Sequence, residues 1–74
     1  MKDQIMKTVS DLLGIPASDI DEDSDFFEEL GADSLDGVDI LISLENMFDI
    51  SIPEQDAIDL RSVNKILSYL EENL

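Results

Sequence analysis

Three stretches of the chain repeat their apolar residues at the spacing of one helix face, and that repeat limits the fold more than any other feature. From Asp3 to Leu13, Ile5, Val9, Leu12 and Leu13 stand at i, i+4, i+7 and i+8, the stripe of a surface helix packing one side inward. Gly14 and Pro16 stop it. A second helix is expected from about Ser34 to Asp49, with Leu41, Leu44 and Phe48 centring its apolar arc and Val38 and Ile40 flanking it. Asp36, Asp39, Ser43 and Asn46 fall on the opposite side, and Leu35, Ile42 and Met47 form a partly exposed rim. A last helix runs from a cap at Ser62 to about Asn73, with Val63, Ile66, Leu67 and Leu70 on one face. Lys65 stands where a capping-box Glu would be, so that cap is one-sided.

Between the first two helices, Ile15 to Ala32 is longer than the roughly two to eight residues usual between bundle helices, so it is a loop with a role or one pinned at intervals. Ile15, Ile20, Phe26, Phe27 and Leu30 are the expected pins. Ser24 or Asp25 caps a short turn through Phe26 to Leu30, which Gly31 ends. Pro53 suits a helix start, so Glu54 to Leu60 reads as a short third helix, marginal by itself. Gly37 inside the second helix costs about 1 kcal/mol relative to Ala, which suggests a close approach to the backbone there or a first turn that tolerates it. The expected fold is all-α, a small four-helix bundle of three longer helices and one short one, with a long first loop and a single domain over residues 1–74.

Charge and composition then exclude much of chemistry. With no Cys and no His, thiolate and imidazole metal sites, disulfides and nucleophile–His pairs are absent. The N-terminus lacks a basic start followed by an apolar core, and no apolar run approaches the roughly 20 residues that span a bilayer, so a cytoplasmic location is expected. The whole net charge of −15 lies between Asp19 and Asp59, a stretch without Lys or Arg. Such a block repels nucleic acid and anionic membranes and steers basic partner surfaces toward itself. At its centre is Ser34. Gly31 breaks the preceding turn and Asp33 is a good N-cap, so the Ser34 hydroxyl is placed at the surface in the first helical turn, where unpaired amides and the helix dipole would receive a phosphate.

The run Asp25-Phe26-Phe27-Glu28-Glu29-Leu30-Gly31-Ala32-Asp33-Ser34-Leu35-Asp36, followed by Val38, Asp39, Leu44-Glu45, Phe48-Asp49 and Ile52-Pro53, resembles the free-standing bacterial acyl carrier proteins. The resemblance covers almost the whole chain. It implies that Ser34 accepts 4'-phosphopantetheine from coenzyme A through a phosphodiester, that the arm's thiol holds acyl groups as thioesters, and that the carrier itself is not an enzyme. It implies partners too: a phosphopantetheinyl transferase, and fatty acid synthesis or related acyl-transfer enzymes with basic docking patches, meeting a monomer. Asp33, Leu35, Asp36, Val38, Asp39, Ile42, Glu45 and Glu54 match the recognition face. Phe26, Ile40, Leu41, Leu44, Ile52, Ala57, Leu60, Ile66 and Tyr69 align with acyl-pocket positions, which ordinary core packing explains equally well.

Some residues depart from the family pattern. Gly37 stands where Thr or Ser is usual, which would open the pocket mouth, and Ile66 replaces an often small residue, which would shorten the far end. Asn46, Met47 and Ile58 make the recognition face less charged. A specialised polyketide-type or short-chain acyl carrier is therefore the alternative within the class. From another class, Asp19, Asp21, Asp23 and Asp25 alternate like the start of a calcium loop. Counting from Asp19 puts Ser24 sixth and Leu30 twelfth, and counting from Asp21 puts Phe26 and Ala32 there, so the turn Gly and the bidentate Glu are missing from both. An acidic interaction protein would share the charge, but it gives no reason for a serine at the centre. Clustered carboxylates repel one another, so added salt or Mg²⁺ is expected to raise the melting temperature, and a melt unchanged across a salt series would contradict this.

Overall fold

The computed structural model describes all residues, Met1–Leu74. Its helices are α1 (Lys2–Leu13), α2 (Ser34–Phe48), α3 (Glu54–Ala57) and α4 (Val63–Asn73), with a 3-10 turn at Ala17–Asp19 in the long connection. The all-helical arrangement of three longer helices and one short one is the one the apolar spacing predicts. No helix is long and apolar enough to cross a membrane.

The core forms where α1 packs against both α2 and α4. Ile5 and Val9 of α1, Ile40 and Leu44 of α2, and Val63, Ile66 and Leu70 of α4 are buried there. Ile20 and Phe26 enter from the long connection and Ile52 from the loop before α3. Two details differ from the expected stripes. Leu12, in the last turn of α1, is 38% exposed, so Leu13 alone of that pair packs on the core. On α2 the deepest residues are Ile40 and Leu44, while Leu41 and Phe48 are half-buried and Val38 is exposed. Helical spacing fixes where an apolar arc lies, but the neighbouring elements decide which part of it they cover.

Helix ends follow from residues that satisfy the last carbonyls. Gly14 adopts a left-handed backbone, φ 68°, and its amide donates to the Ser10 carbonyl. Asp49 ends α2 one residue before the expected boundary by turning left-handed at φ 54°, a conformation that Asp tolerates better than most side chains. The Ile52 amide then donates to Glu45 Oε2 at 2.8 Å, which folds the following loop back onto α2. The short helix stops at Ala57 rather than Leu60. Beyond it the amides of Asp59 and Leu60 reach only three residues back, to Asp56 and Ala57, a tighter turn that a helix this short does not resist.

The long connection is pinned as its length demands, and Asp25 is the principal pin. Its Oδ1 accepts the Phe27 amide at 2.9 Å and the Glu28 amide at 3.0 Å, so Asp25, not Ser24, caps the turn. Its Oδ2 accepts Arg61 Nε at 2.7 Å, and the Phe26 amide donates to the Arg61 carbonyl at 2.8 Å. Nearby, Asn64 donates through its amide to the Glu22 carbonyl and through Nδ2 to Asp23. Lys2 pairs with Glu22.

The Arg61 guanidinium, helped by the two backbone amides, holds the Asp25 carboxyl down at about 2. Because the folded state binds this proton less readily than the unfolded chain, the contribution is present above the ordinary value of 3.8 and is lost as pH falls toward about 2. Asp25→Asn is expected to melt below the wild type by a constant margin near neutral pH, and that margin should shrink between about pH 4 and pH 2. Thermal melts of both proteins across this range check it; a margin independent of pH would assign the loss to packing instead.

Candidate functional site

Ser34 is the first residue of α2, and the turn that leads to it is built from its neighbours. Gly31 takes φ 76°, and Ala32 is buried, anchoring the chain before it emerges. Asp33 is extended and caps the helix reciprocally with Asp36: the Asp36 amide donates to Asp33 Oδ1 at 2.9 Å, and the Asp33 amide donates to Asp36 Oδ2 at 3.1 Å. Here Asp stands at both ends of a capping box more often written Ser/Thr-x-x-Glu, so the pairing was available from the sequence. The Ser34 and Leu35 amides donate to no group of the protein. An exposed hydroxyl thus stands at a helix head with two unused N–H groups beside it, a setting that receives a phosphoryl group.

Beside Ser34 opens an apolar cavity of about 340 Å³ between α2, α3 and the turn after α3. Its floor is Phe26, Ile40, Leu44 and Ile66, each no more than 3% exposed. Its rim is Ser34, Val38, Glu54 and Ile58, all exposed. Of the pocket positions drawn from the family resemblance, Phe26, Ile40, Leu41, Leu44, Ala57, Leu60 and Ile66 line it. Ile52 and Tyr69 do not. Ile52 is consumed by the core, and Tyr69 faces a separate polar cleft where its hydroxyl donates to Asp56 Oδ2 at 2.9 Å. That bond, with partial desolvation, raises the Tyr69 phenol above its ordinary value.

Gly37, expected at the pocket mouth, lines it, and Phe27 and Arg61 complete the lining without having been expected there. The signal for one of them was Gly37, whose place in a helix hinted at a close approach. A Cβ on Gly37 would stand 2.9 Å from Phe27 Cζ and 3.1 Å from Cε1. The space that the missing side chain leaves is therefore filled by the Phe27 ring, and the mouth is not simply widened.

Along the outer side of α2, Leu35, Val38 and Ile42 are 74%, 50% and 49% exposed, an apolar stripe at helical spacing. Asp39 and Glu54 are exposed beside it. Asp36 and Glu45, expected on the same face, are half-buried and already accept backbone amides, so each also holds the local fold. The alternating acids of the long connection do not gather into a cage. Asp21 accepts the Asp23 amide, Asp23 accepts Asn64 and Asp25 accepts Arg61, and no three acidic side chains converge.

Over residues 3–70 the chain matches the family described as the phosphopantetheine attachment site. An acyl carrier protein of Chlamydia felis is 41% identical over 71 residues, spanning 96% of this chain and 91% of the relative. One from Chlamydia caviae is 38% identical over 71 residues, 96% of this chain and 92% of its own. A solved structure assigned as an acyl carrier protein from Mycobacterium tuberculosis matches with a TM-score of 0.86 at 25% identity, covering 99% of this chain and 97% of that one.

The reciprocal cap makes Asp33 structural as well as acidic. Asp33→Ala is expected to lower unfolding stability by about 1 kcal/mol, as loss of a helix N-cap does, whereas Asp33→Ser should retain most of it. Urea unfolding of the two variants measures the difference; equal losses would mean that the cap contributes nothing.

Proposed function

This chain belongs to the phosphopantetheine-attachment family of acyl carrier proteins, whose members hold a covalently attached 4'-phosphopantetheine, and we infer that Ser34 is the attachment point. The observation that carries the reading is the exposed Ser34 hydroxyl at the amide-bearing head of α2, on the rim of the apolar cavity. When attached, the arm supplies a thiol on which acyl groups ride as thioesters. The residues of this chain receive its phosphate beside the Ser34 and Leu35 amides and offer the adjoining cavity to the acyl tail.

The chain does not activate its own serine. Ser34 Oγ has no hydrogen-bond partner, and the nearest capping carboxylates are engaged with each other's amides. A transferase must bring the base that takes the hydroxyl proton. It and the acyl-transfer enzymes are expected to dock through Lys and Arg on Asp39, Glu54 and the outer edges of Asp33, Asp36 and Glu45. Leu35, Val38 and Ile42 then give apolar contact at short range. In this reading residues 1–74 act as one cytoplasmic, monomeric carrier domain that serves fatty acid synthesis or a related acyl-transfer pathway. Ile66, fully buried at the cavity floor, supports a specialised or shorter cargo as the second reading.

Intact mass after incubation with coenzyme A, Mg²⁺ and a broad-specificity phosphopantetheinyl transferase tests the assignment. One phosphopantetheine is expected on the wild type and none on Ser34→Ala; a wild type that is folded by circular dichroism yet unmodified would overturn it.

A further inference from the structure

The mouth of the cavity is made by a side chain that hangs from a loop. Phe27 is half-buried between α2 and the turn after α3. On one side its ring packs against the bare backbone of Gly37, where a Cβ would stand only 2.9 Å from Phe27 Cζ. On the other, the Arg61 guanidinium lies over the ring, its Cζ 4.9 Å from the centroid. Arg61 is held in place by Asp25, and the same carboxylate accepts the Phe27 amide. One acid thus fixes both the cation above the ring and the backbone beneath it. Phe27 lines the cavity together with Ser34, Gly37 and Val38 of the first turns of α2, while the floor residues lie beyond them, sealed from water.

We propose that Phe27 is the gate of this cavity and the residue that sets how readily an acyl chain enters it: the ring rests on Gly37 under Arg61 and swings off that seat to admit the chain. The inference builds on the carrier reading of Ser34 given above. A chain attached through Ser34 starts at the rim and must pass the Phe27–Gly37 contact to reach Ile40, Leu44 and Ile66. The contact is apolar and the guanidinium is partly exposed, so the ring is held by packing and a weak cation–π attraction rather than by a bond that must break. An incoming alkyl chain replaces the apolar surface that the ring gives up. Phe27 therefore favours cargo with enough apolar length to displace it and disfavours short or polar groups.

The test uses the full chain loaded on its arm with butyryl, octanoyl or dodecanoyl groups, with loading verified by intact mass. Methyl NMR signals of Ile40, Leu44 and Ile66 report entry of the acyl chain, and the Gly37 α-proton signals report departure of the adjacent ring. In the wild type, octanoyl loading is expected to shift both sets together, and butyryl loading neither. Phe27→Ala should let butyryl shift the floor methyls too. Phe27→Leu, which keeps an apolar side chain on the loop, covers the case in which the alanine variant does not fold. Floor methyls that shift while Gly37 stays unchanged would overturn the gate and leave the sheltering cavity intact. Floor methyls silent in the wild type with every chain but responsive in a Phe27 variant would make Phe27 a fixed plug and overturn the swinging gate. Silence in all three would overturn both gate and cavity, and a wild type that cannot be loaded would overturn the carrier reading, and the gate with it.

Discussion

The carboxylate of Asp25 joins the long connection to the turn before α4, and the shape of the cavity follows from that join. It accepts backbone amides from its own turn and the guanidinium of Arg61 from the far side, while the Phe26 amide returns a bond to the Arg61 carbonyl. Tied at side chain and backbone, two adjacent phenylalanines go to different places: Phe26 into the core at 1% exposure, and Phe27 onto the first turn of α2. A partly exposed ion pair contributes little stability by itself. Its importance here is positional, because without the tie the connection would lose the geometry that points one ring inward and sets the other at the rim.

Charge is divided by the same folding. The four cations of the sequence lie outside its acidic block, but the fold brings Lys2 and Arg61 back to it, onto Glu22 and Asp25. Both land on the long connection, and the amide side chain of Asn64 adds a third tie at Asp23. No cation reaches the acids of α2 and α3. The half-buried ones accept hydrogen bonds, Asp36 and Glu45 from backbone amides and Asp56 from the Tyr69 hydroxyl, and the rest face water around an exposed apolar stripe. The connection is thereby tied down at three points while the α2 face keeps its unpaired field. On the docking proposed above, a basic partner would supply the counter-charges that the chain withholds from that face.

The helices, the caps at Gly14, Asp33 and Ser62 and the exposed serine were legible because each depends on local rules: helical spacing, an Asp or Ser before the first turn, a Gly after the last. What escaped depended on partners distant in sequence. Ile40 lies deeper than Leu41 because of what covers α2, and the turn that follows α3 leads into Arg61, whose partner Asp25 lies far back in the sequence. Tyr69 seemed to belong with the pocket until its hydroxyl found Asp56, since an amphipathic ring goes where its polar end is satisfied. In the sequence Arg61 stands just outside the acidic block; that its guanidinium lies over Phe27 is a fact of three-dimensional packing with no trace in spacing or composition.

Gly37 shows most plainly how a local cost acquires a purpose at a distance. In isolation it weakens a helix by about 1 kcal/mol relative to Ala, and in the first turns of α2 no packing of its own repays this. The ring of Phe27 fills the vacancy, so the mouth contains as much matter as a side chain on the helix would have supplied, but that matter is attached to the connection instead. A helix-borne side chain at this place moves only if the rotamer changes against its own helix or the turn unwinds. A loop-borne ring moves with a turn held by a carboxylate and a few amides, a part of the structure whose opening requires far less than global unfolding. Exchanging helix material for loop material at the rim thus leaves α2 and Ser34 in place while the entrance beside them is carried by the connection, as the proposed gate requires.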